Sequence, residues 1–274
     1  MNSQDMQVIG LCRFSYPAYG GFQVEHDTIE ERIGYLYDET RLEERFRLFE
    51  TIALPCLREQ IDPNFDLIIV IGDQLPKRHV DRLHDLTAGM PQVQIQAHAP
   101  DQQRPIMKRI LNAARKDPSK PCLQFRHDDD DAVSVDFVRQ LREAVDDTAA
   151  LRARHRTVAY DWHNGYVVEV GADGIHAQQV YRPLNVASLG MHVRGNDPTT
   201  IMNFAHNKLN RFMPVVSYGN EPMWVRTHSR FNDSRQAKKA HAVPVAQITE
   251  EQQGEFVARF AIDEDHVKGV FANG

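Results

Sequence analysis

The sequence predicts an α/β fold: a mostly parallel sheet flanked by helices, with a smaller antiparallel portion in the second half. Two observations indicate this class. Up to about residue 155, short apolar runs alternate with stretches of helical periodicity, the pattern of β-α-β units. Beyond that point, apolar runs follow one another across glycine-bearing turns, as in antiparallel hairpins. The 274 residues can bury one core, so we expect a single domain with two halves, 1–155 and 156–230, and a tail, 231–274.

In the first half, each predicted strand is followed by a predicted helix. The first strand covers residues 7–14 and ends at Arg13, and the uniformly apolar run 66–72 favours a central parallel strand. A helix is predicted to begin near Thr40, which is spaced from Glu43 as in a capping box. The other predicted elements are helices near 76–86 and 105–115, strands near 93–97 and 121–127, and a helix capped by Ser134.

The second half is dominated by predicted hairpins. The runs TVAYDW and YVVEV flank Asn164 and Gly165, and an Asn-Gly pair favours a tight hairpin turn. A second glycine-bearing turn at 171–174 leads into another strand. Helices are predicted at 198–209 and 250–262, and the polar, basic stretch 229–241 is predicted to be mobile because it has no periodicity.

Charge and composition exclude several classes of protein. The chain has 32 basic and 38 acidic residues and no polybasic block, so nucleic acid and anionic membranes are not expected partners. No apolar run is long enough to span a membrane, and no secretory signal is recognised. Three widely spaced cysteines among apolar neighbours predict buried free thiols in a reducing compartment. We therefore expect a cytoplasmic protein.

Four consecutive carboxylates, Asp128 to Asp131, directly follow the predicted strand 121–127. Ligands of open α/β sheets bind at the carboxyl ends of strands, so these residues have the position of a binding site. Two unit charges 4 Å apart repel by about 1 kcal/mol in water and about 4 kcal/mol at an effective dielectric of 20. The run therefore requires either full solvation or a cation, and Mg²⁺ or Mn²⁺ with phosphate oxygens would satisfy it. The alternative is a solvated acidic turn that favours the next helix N-terminus.

The string FRHDDDDAVSVDFVRQL resembles the DxD region of GT-A glycosyltransferases. In that pattern Asp128 and Asp130 match the two DxD acids, Asp131 matches the fourth position, and residues 136–138 match the triplet that opens the following helix. More narrowly, residues 121–138 and the segment PMWVRTH are similar to bacterial putative rhamnosyltransferases. The resemblance implies that residues 1–155 bind a nucleotide-sugar donor and that residues 156–230 face the acceptor.

The resemblance also implies roles for individual residues. The predicted metal ligands for Mn²⁺ or Mg²⁺ are Asp128, Asp130, Asp131 and His228. The expected donor-binding residues are Arg13, Asp73, Arg126, Asp128 and Asp129. Of these, Asp73 ends a string, DLIIVIGD, that resembles the base-contacting strand of the same fold, while Arg126 shares a strand face with Asp128 and is either a diphosphate ligand or an ordinary charge partner.

The catalytic base has two candidates. Glu221 matches the glutamate of the x-E-D motif of this fold, although Pro222 replaces the second acid, and Asp161 is its rival. The expected reaction is metal-dependent transfer of a sugar, rhamnose by resemblance, from a nucleoside diphosphate to a hydroxyl of a glycan, lipid or small molecule, with inversion. The alternatives are a nucleotidyl- or phosphotransferase, for which no GxxxxGK[ST] loop is present, and a non-catalytic metal- or carbohydrate-binding module.

Overall fold

The computed structural model describes residues 2–20, 26–229, 231 and 243–272. Within these ranges the strands are β1 (Gln7–Arg13), β2 (Asp66–Gly72), β3 (Val93–His98), β4 (Cys122–Asp128), β5 (Asp131–Val133), β6 (Thr157–Trp162), β7 (Asn164–Gly171), β8 (Gly174–Tyr181), β9 (Gly190–Val193), β10 (Val215–Tyr218), β11 (Trp224–Thr227) and β12 (Ala246–Gln247). The helices are α1 (Ile29–Leu36), α2 (Glu39–Leu48), α3 (Leu54–Arg58), α4 (Lys77–Leu86), α5 (Gln103–Ala113), α6 (Phe137–Asp147), α7 (Ala149–Arg154), α8 (Glu250–Phe260) and α9 (Glu264–Ala272). A π-helical turn, Phe49–Ala53, joins α2 to α3, and 3₁₀ turns cover Ser3–Asp5, Ile201–Asn203 and His206–Arg211.

A mostly parallel sheet has the strand order β10-β6-β9-β4-β1-β2-β3 in the described part of the chain. β1 pairs in parallel with β2 and β4, β2 pairs in parallel with β3, and β10 pairs in parallel with β6. The short strand β9 is antiparallel to both β4 and β6 and joins the two parallel groups. Residues of α2, α3 and α6 pack in one buried cluster and residues of α5 in another. The predicted fold class is confirmed.

The two buried clusters lie on opposite faces of this sheet. In β2, Leu67, Ile69 and Ile71 belong to one cluster, whereas Ile68 and Val70 belong to the other. Successive side chains of a strand point to opposite faces, so β2 is covered on both sides. This confirms the prediction of a central parallel strand and explains why its sequence is uniformly apolar.

A second sheet has the order β12-β8-β7-β11-β5. β7 and β8 form a hairpin whose turn contains Gly174, with φ +112, a backbone region that favours glycine. β11 lies parallel to β7 and antiparallel to β5, pairing Arg226 with Asp131. This sheet therefore contacts the main sheet at the acid run, directly beyond β4.

The predicted hairpin turn at Asn164 and Gly165 is wrong. β6 lies in the main sheet, and both residues lie within β7 of the second sheet. A Cβ atom at Gly165 would come within 2.3 Å of the Trp224 ring. This glycine therefore allows an aromatic ring to approach the backbone closely, a role that sequence alone does not distinguish from a turn.

Other predicted elements also needed correction. The helix predicted to begin near Thr40 begins at Glu39, but the predicted capping box is wrong, because Asp38 is the N-cap and accepts a hydrogen bond from Arg41 N at 3.1 Å. The helix predicted at 198–209 is replaced by short 3₁₀ turns. Helices α1, α7 and α9 were not predicted.

The tail and the cysteines bear on further predictions. Most of the segment predicted to be mobile, residues 230 and 232–241, lies outside the described residues, and a helix follows it as predicted. All three cysteines are buried free thiols. Among the described helices, each is too short or too polar to cross a bilayer.

Candidate active site

The acid run lies beside the point where the strand order of the main sheet reverses. The chain passes from β1 to β2 and β3 on one side, and β4 lies on the other side of β1. Such a switch point opens a ligand-binding crevice at the carboxyl ends of the strands. Arg13, the last residue of β1, is in register with Asp128, the last residue of β4, and its Nη2 lies 3.5 Å from Asp128 Oδ1. The structure thus brings two predicted donor-binding residues together at this crevice.

The alternation of side chains along β4 divides the end of the strand into two faces. We call the side of Arg126 and Asp128 the open face, and the side of His127, which lies against the turn after α2, the closed face. On the closed face, His127 Nε2 lies 3.3 Å from the carbonyl oxygen of Ala53. Burial lowers the pKa of His127 to about 4, so this imidazole is neutral at pH 7.

Arg45 of α2 bridges two carboxylates of the run. Its Nη1 donates to Asp130 Oδ2 at 2.8 Å and its Nε donates to Asp129 Oδ2 at 3.3 Å, while its Nη2 contacts Asp129 Oδ1. All three residues are buried. Burial raises the pKa of Asp129 to about 6, Arg45 opposes this rise, and the neighbouring Asp130 adds to it. Asp129 is therefore a structural partner of Arg45, and its predicted role in donor binding stays a prediction.

Asp131 is held by the second sheet. It is buried, and its Oδ1 accepts a hydrogen bond from Thr227 N at 3.2 Å. Burial and the neighbouring Asp130 hold its pKa well above the usual range for an aspartate. Thr227 Oγ1 also donates to the carbonyl oxygen of Asp130. Asp131 thus anchors the bend to β11.

Asp128 is the carboxylate of the open face, and basic residues surround it. Burial opposes its ionisation, but Arg13, Arg126 and Arg226 together hold its pKa well below the usual range. Burial lowers the pKa of Arg126 to about 10 against the attraction of Asp128, and the charges of Arg13, Arg104 and Arg226 add to this lowering. The open face therefore has more positive than negative charge.

Two further basic residues, Arg226 and Arg182, were not among the predicted site residues. Arg226 lies on β11 opposite Asp131, and Arg182 directly follows β8 close enough to Arg226 for burial and that charge to lower its pKa. Arg226 is part of the segment PMWVRTH, but nothing in the local sequence singles it out. The strand pairing of the second sheet places Arg226 beside Asp131, and Arg182 lies near enough to Arg226 for the two charges to interact.

Two carboxylates of the acid run, Asp128 and Asp130, could supply some of the oxygen ligands that a divalent cation requires. Asp128 uses Oδ1 for Arg13 and Asp130 uses Oδ2 for Arg45, so each has one carboxylate oxygen without a hydrogen bond in the described structure. Within residues 2–20, 26–229, 231 and 243–272, no group of three His, Cys, Asp or Glu side chains could hold a metal ion. Mg²⁺ is commonly held by one or two carboxylates together with substrate phosphates. Asp128 and Asp130 each have an oxygen atom that could serve such an arrangement.

The sequence model of one protein family, described as "Putative rhamnosyl transferase", matches residues 7–241. The chain belongs to this family. The match spans both faces of β4, the arginines of the crevice and the segment PMWVRTH. The transferase is therefore a glycosyltransferase by family, as the resemblance implied.

Weaker similarities exist to solved structures. TarS 1-349 from S. aureus is 12% identical at a TM-score of 0.40, covering 81% of this chain and 60% of that one. A putative nucleotide-diphospho-sugar transferase from Desulfovibrio desulfuricans G20 is 13% identical at a TM-score of 0.33, covering 85% and 84%. The same TarS fragment in complex with UDP-GlcNAc is 10% identical at a TM-score of 0.42, covering 98% and 71%. No curated protein matches the transferase.

His228, the proposed metal-binding histidine, follows β11 of the transferase. It lines a cavity of about 500 Å³ together with Glu44, Arg47, Glu169 and Phe271, among others. Burial, with Arg226 and Arg182, lowers the pKa of His228, while Glu169 and Asp130 oppose this change. His228 is therefore near enough to Asp130 to interact with its charge, but the described residues do not group it with the carboxylates as a metal site.

Glu221 lies away from the acid run. β11 pairs Arg226 with Asp131 and Trp224 with Val133, so the chain before Trp224 runs away from the bend. Glu221 is exposed, and its Oε2 accepts a hydrogen bond from Arg259 Nη2 at 2.6 Å. The structure therefore does not bring this candidate base to Asp128 and Asp130.

Asp161, the rival base, lies at the carboxyl edge of the main sheet but is fully buried. Its Oδ2 accepts a hydrogen bond from Leu184 N at 2.8 Å and lies 2.9 Å from His163 Nε2. His163 Nδ1 in turn lies 3.2 Å from the hydroxyl of Tyr181, which is 62% exposed. Asp161 cannot contact an acceptor itself, but it can act through His163.

Asp73 directly follows β2, the neighbour of β1, and is exposed at the same edge of the sheet. Its backbone N donates to the carbonyl oxygen of His98 at 3.0 Å, which fixes the chain at the end of the strand. This is the position expected of a residue that contacts a bound nucleotide at the switch point.

Proposed function

We propose that this transferase moves a rhamnosyl group from a nucleoside-diphosphate donor to an acceptor hydroxyl, with inversion and with Mg²⁺ or Mn²⁺ as the metal ion. The observation that carries the proposal is the open face, where Arg13, Arg126 and Asp128 meet at the switch point of the sheet in a member of a rhamnosyl transferase family. The acceptor is a glycan, a lipid or a small molecule, and a cytoplasmic location stays a prediction.

The donor would lie along the carboxyl ends of β1, β2 and β4. Asp73 would contact the nucleotide, and Arg13 and Arg126 would contact the diphosphate through their guanidinium groups. A metal ion held by Asp128 and Asp130 would offset the negative charge that develops on the leaving diphosphate. Arg45 would keep Asp130 in place from the closed face.

The reaction would be a single in-line displacement. The acceptor oxygen forms a bond to the anomeric carbon, the bond from that carbon to the diphosphate oxygen breaks, and its electron pair leaves with the nucleoside diphosphate. The proton of the acceptor hydroxyl passes to a base, a contribution of roughly 10² to 10⁴ in rate. We propose that His163 Nδ1 accepts this proton, since Asp161 behind Nε2 stabilises the imidazolium that forms.

The first experiment measures release of nucleoside diphosphate from dTDP-, UDP- and GDP-linked rhamnose and from the matching glucose donors, each with Mn²⁺ and with EDTA. We expect release from a rhamnose donor, and the anomeric configuration of the product, read by NMR, tests inversion. Release of pyrophosphate would indicate a nucleotidyltransferase. If a donor binds tightly but no nucleoside diphosphate is released with any cell extract offered as a source of acceptors, an enzymatic role is contradicted.

A second experiment tests the base. We expect His163→Gln and Asp161→Asn to lower kcat by about 100-fold or more with little change in the donor KM, and Glu221→Gln to stay within about threefold of wild type. Circular dichroism checks that each variant is folded. A large loss in Glu221→Gln together with normal turnover in His163→Gln would assign the base to Glu221 instead.

A further inference from the structure

Tyr181, the last residue of β8, carries a large aromatic ring on the surface of the second half of the chain. Its side chain is 62% exposed. Tyr218 is half-buried and stacks on Trp162. The remaining tryptophan and tyrosine side chains of residues 156–229 are buried: Tyr160, Trp162, Tyr166 and Trp224. A single exposed ring is ordinary on a protein surface, so the decisive question is how this ring is held.

The hydroxyl group of Tyr181 holds the exposed ring in place. Tyr181 Oη lies 3.2 Å from His163 Nδ1, and the two rings meet edge to face with their centroids 5.1 Å apart. The hydroxyl also lies against Gly219, where a Cβ atom would overlap it. Gly219 does not have the left-handed backbone that favours glycine, so the position needs a glycine to leave space for the hydroxyl. The ring is thus fixed at its polar end while its faces remain accessible.

This exposed ring stands beside the crevice of the main sheet. Tyr160 of β6 and Phe125 of β4 both pair with Gly190 of β9. Neighbouring strands lie about 4.7–4.9 Å apart, so β6 is about 10 Å from β4. Three residues further along, His163 reaches the level of Asp128. A group bound on the exposed ring therefore lies next to the proposed donor site, with room for the transferred sugar between them.

We propose that the ring of Tyr181 stacks on a sugar ring of the acceptor, so that the acceptor of this transferase is a carbohydrate. The inference rests on the proposed function, because it assigns the acceptor of that same reaction. The C–H groups on one face of a pyranose ring have slight positive charge and pack on the negative face of an aromatic ring. A tyrosine that is already fixed loses little conformational freedom when it binds. A hydroxyl of the stacked sugar would then reach His163, the proposed base.

The test is binding of methyl glycosides to the full chain, measured by saturation-transfer difference NMR with and without UDP or dTDP and Mg²⁺. The panel contains the methyl glycosides of glucose, galactose, mannose, rhamnose and N-acetylglucosamine, and glycerol serves as a hydroxyl compound without a ring. We expect at least one glycoside to bind, with the strongest saturation on the C–H protons of one face of its ring. Glycerol should not bind.

Three variants test whether the ring of Tyr181 is the contact. Tyr181→Leu should weaken glycoside binding about tenfold because it removes the ring, whereas Tyr181→Phe should stay within about threefold of wild type because the ring remains. Gly219→Ala should also weaken binding, because its Cβ atom displaces the ring without removing it. Circular dichroism checks that each variant is folded.

Phe212→Leu is the matched control. Phe212 is also 62% exposed, but it precedes β10 and so lies at the opposite end of that strand from Gly219. This variant should bind the glycosides within about twofold of wild type, as expected for a distant site. Equal losses in Tyr181→Leu and Phe212→Leu, unchanged binding in Tyr181→Leu, or a panel in which no glycoside binds would overturn the inference.

The outcomes separate this inference from the proposed function. If a glycoside binds through Tyr181 but no nucleoside diphosphate is released from any nucleotide sugar, the sugar site stands and the transfer reaction does not. If nucleoside diphosphate is released and Tyr181→Leu keeps the wild-type KM for every source of acceptor, the proposed function stands and the sugar site does not.

Discussion

On the closed face of β4, Arg45 bridges Asp129 and Asp130, and His127 is neutral against the Ala53 carbonyl. On the open face, Arg126 has no ion pair in the described structure, and Asp128 is surrounded by several arginines. The same strand thus presents paired charges on one side and surplus positive charge on the other. Three of the four carboxylates of the acid run, Asp129, Asp130 and Asp131, therefore have partners that hold the bend, whereas Asp128 lies among the arginines of the open face.

The largest expected difference between the two faces is in how much an arginine contributes to the free energy of unfolding. Arg45→Met should lower the free energy of unfolding by about 3–5 kcal/mol, because it leaves two buried carboxylates without their shared cation. Arg126→Met should stay within about 1 kcal/mol of wild type, since no ion pair is broken and repulsion among arginines falls. Urea denaturation of both variants at pH 7 measures the two values. Equal losses would remove the distinction between the faces.

The second prediction concerns how the free energy of unfolding depends on pH through His127 on the closed face. The pKa of His127 is about 4 in the folded protein against 6.5 when exposed, so the neutral form stabilises the fold above pH 6.5. This contribution, about 3 kcal/mol at most, is lost as pH falls from 6.5 to 4, because the unfolded chain binds the proton first. Urea denaturation of the wild type and of His127→Gln across this pH range measures the contribution of His127. The free energies of unfolding of the two proteins should converge as pH falls, and a constant difference between them would contradict the prediction.

The third effect concerns catalysis on the open face. Asp128→Asn should lower kcat/KM for the donor by about 100-fold or more, because the proposed function uses this charge to hold the metal ion beside the diphosphate. Asp81→Asn is the control, since Asp81 pairs with Lys77 on the exposed surface of α4. Steady-state kinetics with the donor identified above measures both variants. Wild-type kinetics in Asp128→Asn would place the reaction elsewhere.

The smallest effect is expected for Arg13→Gln. Its contact with Asp128 is 3.5 Å long, and the two side chains are 21% and 16% exposed. Partly solvated pairs of this kind contribute roughly 0–1 kcal/mol, so the free energy of unfolding should change by less than about 1 kcal/mol. Thermal and urea denaturation check this. A larger loss would mean that the open face also has a structural function.

Several features of the fold could be predicted because their signals are local. The uniformly apolar run 66–72 indicated a strand covered on both faces, and the turn at 171–174 indicated the hairpin of β7 and β8. The position of the acid run at the end of a strand, next to the end of β1, follows from chain order in a parallel sheet. Asn164 and Gly165 misled the prediction, because glycine favours both turns and close ring contacts.

Local sequence patterns were sufficient to predict the α/β class, the buried central strands and four carboxylates at a strand end, because burial and periodicity are encoded within a few neighbouring residues. How those carboxylates are used depends on contacts that form only in the folded protein. Arg45 and Thr227 approach the acid run from distant segments, and Arg182 and Arg226 arrive through the pairing of the second sheet. Long-range partners of this kind have no local signature, since ion pairing depends on distance in space rather than along the chain.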